Sequence, residues 1–153
     1  MTGEERAERA RNNFLAGYNC PQSVLHAFDD VLEEHGIEPS VALRLASPFG
    51  GGMGRMREVC GAVSAMLMII GLTEGYDDPE VYDAKADLYA RVQELAGAFR
   101  DENGSILCRE LLGLGEGTSE SAPEQRTQAY YESRPCAELC ATAARIAGEY
   151  VQQ

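Results

Sequence analysis

Hydrophobic residues recur every three or four positions along most of this chain, and that period is typical of amphipathic helices. The first such segment runs from Glu4 to Leu15, and the second from Cys20-Pro21 to Gly36. A shorter helix is predicted from Pro39 or Ser40 to Ala46, and the longest helix is predicted from Pro79 to about Asp101. These boundaries rest on Pro near helix starts and on Gly or Asn near helix ends.

The C-terminal third continues the pattern. Ser105 opens a short helix that Gly113 ends, and Pro135 begins a last helix that continues to Tyr150. Residues 115–124 are polar and of low complexity, which predicts a loop. We find no alternating pattern of a strand and no internal repeat. The chain, residues 1–153, is therefore predicted to be a single all-α domain, a helical bundle of about six helices.

The chain is organised around the stretch from Ala46 to Leu72, ASPFGGGMGRMREVCGAVSAMLMIIGL. From Cys60 to Ile70 this stretch contains no charged residue, which predicts a helix buried on most sides, with Gly71 as its C-cap. Four glycines precede that helix and predict a loop whose backbone takes positive φ: Gly50, Gly51, Gly52 and Gly54.

Arg55 and Arg57 follow the glycines directly, so Cys60 is predicted where a cationic loop becomes a helix. A helix N-terminus and nearby arginines both favour a thiolate. We therefore expect a lowered pKa for Cys60. The loop could also cradle a phosphate, although it matches neither a dinucleotide-binding nor a P-loop motif.

Charge and composition exclude several classes of function. The net charge is −12, and Lys85 is the only lysine among 153 residues. Binding of nucleic acid or of an anionic membrane surface is therefore not expected. No apolar run approaches the roughly 20 residues of a membrane span, and the charged N-terminus does not resemble a secretory signal. A cytoplasmic location is expected.

Five cysteines are the main chemical signal. In a reducing compartment, cysteines point to metal binding, catalysis or redox sensing more often than to structural disulfides. Four are predicted in first turns of helices, where unpaired N–H groups favour a thiolate. Cys20 is predicted at an N-cap, Cys60 opens the central helix, Cys108 is predicted at N3 after Ser105, and Cys136 follows Pro135.

These segments resemble a known family. GYNCPQSVLHAF, the glycine-rich stretch through Cys60, CRELLG and CAELCATAA are similar to the redox-active proteins named for a C_GCAxxG_C_C cysteine pattern. The resemblance covers nearly the whole chain and implies that the family cysteines are Cys20, Cys60, Cys108 and Cys136. The order here is Cys60-Gly61-Ala62, Ala65 replaces the later glycine, and Cys140 is additional to the four.

The resemblance implies a redox role through these thiols. A related domain in split-Soret cytochromes suggests iron–sulfur ligation as an alternative, whereas covalent haem is not expected because no C-x-x-C-H motif occurs. The redox partner, the cofactor and the oligomeric state are left open, and a homodimer is one option.

Three interpretations therefore remain. In the leading one, Cys60 is a reactive thiol resolved by Cys20, Cys108 or Cys136, supported by the glycines and by Arg55 and Arg57. In the second, the same four thiolates, with Cys140 as a fifth candidate, hold a metal ion or an iron–sulfur cluster. In the third, the protein is a non-catalytic helical interaction module whose cysteines are buried and inert. Cys136 and Cys140 lie four residues apart on one helix, so any disulfide is predicted to join separate helices.

Overall fold

The computed structural model describes residues 1–152, and their regular structure is helical. In chain order the helices are α1 (Gly3–Leu15), α2 (Cys20–His26), α3 (Asp29–Glu34), α4 (Pro39–Ala46), α5 (Gly61–Glu74), α6 (Tyr82–Asn103), α7 (Cys108–Leu111), α8 (Gln128–Ser133) and α9 (Cys136–Val151). Within the described residues, β-pairing is limited to one antiparallel bridge between Val59 and Leu107. The prediction of an all-α protein is confirmed.

One hydrophobic core is shared by α1, α2, α5 and α9. Its largest fully buried side chains include Phe14, Phe28, Met66 and Phe99. Helix α9 approaches α1 closely because Gly148 has no side chain: a Cβ there would lie 2.9 Å from Cγ of Arg6. In residues 1–152, no helix combines the length and the apolarity that crossing a bilayer requires.

The helix boundaries differ from the predictions in four places, and the fourth, at Cys108, is described with the functional site. The segment from Pro21 to Gly36 is two helices, because the backbone leaves helical geometry at Phe28 (φ −124°, ψ 28°). Helix α5 continues through Gly71 and ends at Glu74, so the predicted cap at Gly71 is wrong and Gly75 caps the helix. Helix α6 begins at Tyr82, because Pro79 belongs to a preceding turn in which the Asp78 carboxylate accepts from the Glu80 N–H.

Helix α8 was not predicted, since the sequence between the polar loop and Pro135 has little apolar periodicity. Thr127 begins this helix, and its side chain accepts from the Tyr130 N–H. Tyr130 and Tyr131 then pack against the core and contact Phe14 edge-on or stacked. This short helix brings the segment before Cys136 across the end of the bundle where several helices begin.

Candidate functional site

The starts of α2, α5, α7 and α9 surround one cavity of about 260 Å³. Its wall includes four of the five cysteines: Cys20, Cys60, Cys108 and Cys136. The structure also brings every predicted supporting residue to this wall: Gly50, Gly51, Gly52, Gly54, Arg55 and Arg57. Cys140 is fully buried beside the cavity and does not line it.

Each lining cysteine lies at a helix start. Cys20, Cys108 and Cys136 are the first residues of α2, α7 and α9. Cys60 is the N-cap of α5. The predicted N3 position of Cys108 is wrong, because Ser105 does not cap α7 and its hydroxyl instead accepts from the Leu107 N–H.

The glycine loop, residues 50–55, is one left-handed turn of backbone. Positive φ is found at Gly51 (68°), Gly52 (67°), Met53 (66°), Gly54 (55°) and Arg55 (69°). Left-handed geometry costs an L-residue roughly 1–2 kcal/mol, and glycine largely avoids that cost. The prediction of positive φ is confirmed at three glycines, whereas Gly50 has ordinary backbone geometry (φ −63°).

Gly52 is required for a second reason, which is space. A Cβ at this position would lie 2.6 Å from the backbone N of Glu58 and 2.8 Å from Cβ of Cys108. Both distances are far below van der Waals contact, so only glycine fits without movement of the backbone. The loop therefore sets the position of Cys108 directly.

The isolated bridge orients Cys60 and Cys108. The Cys60 N–H donates to the Ile106 carbonyl (2.8 Å) and the Cys108 N–H donates to the Glu58 carbonyl (2.7 Å). Val59 and Leu107 face one side of this antiparallel pair, so their neighbours Cys60 and Cys108 face the other side together. Such diagonal neighbours have Cβ atoms up to roughly 7–8 Å apart.

On the opposite wall, Cys20 lies between two sulfurs of α9. Its thiol is near enough to those of Cys136 and Cys140 to affect their pKa values, and the Cys140 thiol donates to the Cys20 carbonyl (3.7 Å). The Cys20 thiol and burial raise the pKa of Cys136 far above its ordinary value, and burial raises the pKa of Cys140. The Cys136 thiol lowers the pKa of Cys20, but Cys140, burial and the neighbouring sulfurs raise it well above normal overall.

The predicted acidic thiol at Cys60 is contradicted. Burial raises the pKa of Cys60 to about 12, and this effect outweighs the opposite influence of the backbone N–H groups of Ala62 and Val63 at the start of α5. The arginines also point elsewhere. Arg57 donates to Sγ of Cys108 (3.5 Å), and Arg55 donates to the Glu120 carbonyl (2.6 Å).

A family model described as "Putative redox-active protein (C_GCAxxG_C_C)" matches residues 18–150. The chain belongs to this family. All five cysteines fall inside the match. No curated protein and no solved structure matches the chain significantly.

Sequence reasoning missed two arginines at the cavity of this C_GCAxxG_C_C protein, Arg126 and Arg134. Arg126 donates to the carbonyls of Phe14 and Tyr18 (both 3.0 Å), and its guanidinium lies over the Phe14 ring. Arg134 pairs with Glu124 and lies over Tyr130. The sequence feature that could have indicated them is a pair of arginines on either side of Tyr130-Tyr131, shortly before Cys136.

The four thiols of the cavity are also a possible set of metal ligands. Four thiols around one cavity are the donors that an iron–sulfur cluster takes. Nevertheless, in residues 1–152 no three Cys, His, Asp or Glu side chains form a group that could hold a metal ion. The five cysteines are all free thiols.

Proposed function

We propose that this redox-active family member is a thiol/disulfide oxidoreductase that reduces a disulfide substrate through a relay of four thiols. The observation that carries the proposal is that four cysteines line one cavity while a buried arginine donates to the sulfur of Cys108. The relay has an entry thiol, a linking thiol and a terminal pair.

Cys108 is the entry thiol. It is the cysteine that receives a hydrogen bond from a guanidinium, and this contact fixes its sulfur on the cavity wall. A guanidinium beside the sulfur would also stabilise negative charge that develops there during thiol–disulfide exchange. Burial of the other four thiols keeps them protonated at neutral pH, because it raises the pKa of each.

Cys60 is the linking thiol. It shares the face of the bridge with Cys108, and its pKa is raised further by Cys108 and by Cys136. The Cys60 thiol therefore interacts electrostatically with a sulfur on each wall of the cavity. A Cys60–Cys108 disulfide needs the two Cβ atoms at about 3.5–4.5 Å, so it would be a strained, short-lived intermediate.

Cys20 and Cys136 form the terminal pair. Each affects the pKa of the other, so the two thiols are near neighbours, and they belong to separate helices. A disulfide here avoids the diagonal geometry that strains the Cys60–Cys108 disulfide, so the terminal pair retains the oxidation.

The electron balance is that of two-electron thiol–disulfide exchange. The Cys108 thiolate attacks a substrate disulfide RSSR, which forms a mixed disulfide and releases RS⁻. Cys60 attacks Cys108 of the mixed disulfide and releases a second RS⁻. Cys136 then attacks Cys60 and releases Cys108, and Cys20 attacks Cys136 and releases Cys60, so that Cys108 and Cys60 are regenerated. The protons of the consumed thiols leave with the two RS⁻ groups. The sum is RSSR plus two protein thiols giving two RSH plus one Cys20–Cys136 disulfide.

Single substitutions should trap each intermediate. Reduced Cys60→Ser, treated with bis(2-hydroxyethyl) disulfide, should accumulate a mixed disulfide on Cys108, detected by intact mass and peptide mapping. Cys136→Ser should accumulate the Cys60–Cys108 disulfide instead. Cys140→Ser is the matched control: its sulfur is outside the cavity, so this variant should still form the Cys20–Cys136 disulfide.

Two results would overturn the proposal. One is oxidation without any adduct on Cys108 in Cys60→Ser, which would remove the entry thiol. The other is stoichiometric iron or zinc in protein purified without oxygen, together with loss of that metal in the four cavity variants. That outcome would favour the metal interpretation over the relay.

A further inference from the structure

We infer that the cavity selects small disulfides that carry carboxylates. The claim that the ligand is a disulfide substrate rests on the proposed function, whereas the claim that the cavity binds carboxylates does not. The starting observation is Arg57, whose guanidinium is buried in the cavity wall without an acidic partner.

Arg57 is 5% exposed. Its Nε donates to the Ser119 hydroxyl (2.8 Å) and its Nη1 to Sγ of Cys108 (3.5 Å). Within the described residues no carboxylate lies within 4 Å of this guanidinium, although ten other ion pairs form. Burial of a charge without a counter-charge is unfavourable. An anion that binds in the cavity beside Arg57 would supply this counter-charge and would therefore be stabilised.

The remaining wall adds positive charge. Arg126 makes its hydrogen bonds with carbonyl oxygens and a tyrosine hydroxyl. Arg55 and Arg134 both approach one acid, Glu124. The cavity is thus lined by four arginines and one carboxylate in a protein whose net charge is −12. This local reversal of sign cannot follow from composition.

The ligand class follows from shape and chemistry. The volume of about 260 Å³ is below the roughly 300–1,000 Å³ of drug-sized sites, so the ligand is small. Guanidinium groups match carboxylates in a planar, two-pronged geometry. Apolar side chains on the wall suit an aliphatic disulfide between the charged ends: Phe14, Leu111, Leu112 and Leu139.

A redox-inert probe tests anion binding alone. Octanedioate has the length of 3,3′-dithiodipropionate but no sulfur, and 1,6-diaminohexane matches cystamine in the same way. Octanedioate at ten times its Kd should raise the Tm of the reduced protein by about 3–6 °C, and the diamine should not. Arg57→Gln should weaken octanedioate binding at least tenfold, whereas Arg9→Gln, an exposed arginine outside the cavity, should not change it.

Three disulfides test the substrate class: dithiodipropionate (anionic), bis(2-hydroxyethyl) disulfide (neutral) and cystamine (cationic). Each oxidation rate is divided by the rate of the same disulfide with N-acetylcysteinamide, which removes intrinsic reactivity. We expect the anionic disulfide to be at least tenfold faster than the cationic one. The protein's net charge alone would give the reverse order.

The two proposals fail separately. If octanedioate shifts Tm no more than the diamine does, the anion site is wrong, and the relay can still stand. If octanedioate binds but dithiodipropionate has no rate advantage, the substrate class is wrong. If octanedioate binds and none of the disulfides oxidises the protein, the relay is wrong and the anion site stands. Circular dichroism of Arg57→Gln must match that of the wild type for its loss of binding to count.

Discussion

The two walls of the cavity hold their cysteines by opposite means. The helix side, Cys20, Cys136 and Cys140, lies on right-handed helices in or against the core, where burial raises the pKa of each thiol. The loop side is the glycine loop with Arg57 and Cys108, where the backbone is left-handed and the sulfur contacts a cation. Burial stabilises the neutral thiols of the helix side, whereas Arg57 donates to the one sulfur of the loop side.

This contrast shows which part of the fold contains strained backbone. Unfavourable backbone conformations persist only where surrounding structure holds them, and they are concentrated at functional sites. Met53, Arg55 and Arg57 all have positive φ, and all three lie on the loop side. The helix side has conventional caps, such as the Asn19 side chain that accepts from the Gln22 N–H at the start of α2.

The largest effect is expected from Gly52→Ala on the loop side. Left-handed backbone and crowding against Glu58 and Cys108 should together cost about 2–4 kcal/mol of unfolding free energy. Gly113→Ala is the matched control, because Gly113 has the same φ of 67° and its Cβ would meet nothing within 4 Å. Urea unfolding should show a loss of about 1 kcal/mol for the control. Equal losses in both variants would mean that close packing against Cys108 has no energetic weight.

The second prediction tests whether burial raises the pKa of Cys60, as it does for the thiols of the helix side. Its pKa rises on folding from about 8.5 to about 12, so the folded protein keeps a proton that the unfolded chain releases. Its contribution to stability is therefore present below pH 8.5 and is lost as pH rises towards 12. Between pH 9 and 10.5, wild-type protein should lose about 2 kcal/mol more than Cys60→Ala.

The difference between the two pH slopes is the measurement, since the cavity left by alanine lowers stability equally at every pH. Ser64→Ala, on the same helix without a titrating group, should keep the wild-type slope. If Cys60→Ala also kept that slope, burial would not raise the pKa of Cys60, and the thiol would not contribute to the pH dependence of stability.

Sequence alone predicted the helix side better than the loop side. Periodicity located α1, α4 and α9, and four cysteines at helix starts followed from Pro, Asn and Gly positions. Those signals depend on residues close together in the sequence, and their local conformational preferences are kept in the folded protein. The glycine run also predicted positive φ, because few other residues adopt it.

What failed depended on contacts between distant segments. The pKa of Cys60 was expected to fall because Arg55 and Arg57 are near in sequence, but burial raises it and the arginines point to other groups. Arg126 reaches the cavity only because α8 folds across the end of the bundle. The isolated bridge that orients Cys108 involves one residue pair, too short for any periodic signal.

The smallest effect is expected at Asn19, which joins the two walls. Its side-chain Oδ1 caps α2 by accepting from the Gln22 N–H (3.1 Å), while its Nδ2 donates to the Ser47 carbonyl just before the glycine loop (3.1 Å). Asn19→Ala should cost about 1 kcal/mol through the lost cap. Asn19→Asp keeps the cap but loses the donor to Ser47, so its stability loss should be smaller.

The two variants should separate in thiol reactivity more than in stability. If the Ser47 contact holds the loop against α2, both substitutions should raise the alkylation rate of Cys108, because both release the loop side. Mass spectrometry of each cysteine after brief iodoacetamide treatment gives that rate directly. A faster reaction in Asn19→Ala alone would show that the cap, and not the link between the walls, controls access to Cys108.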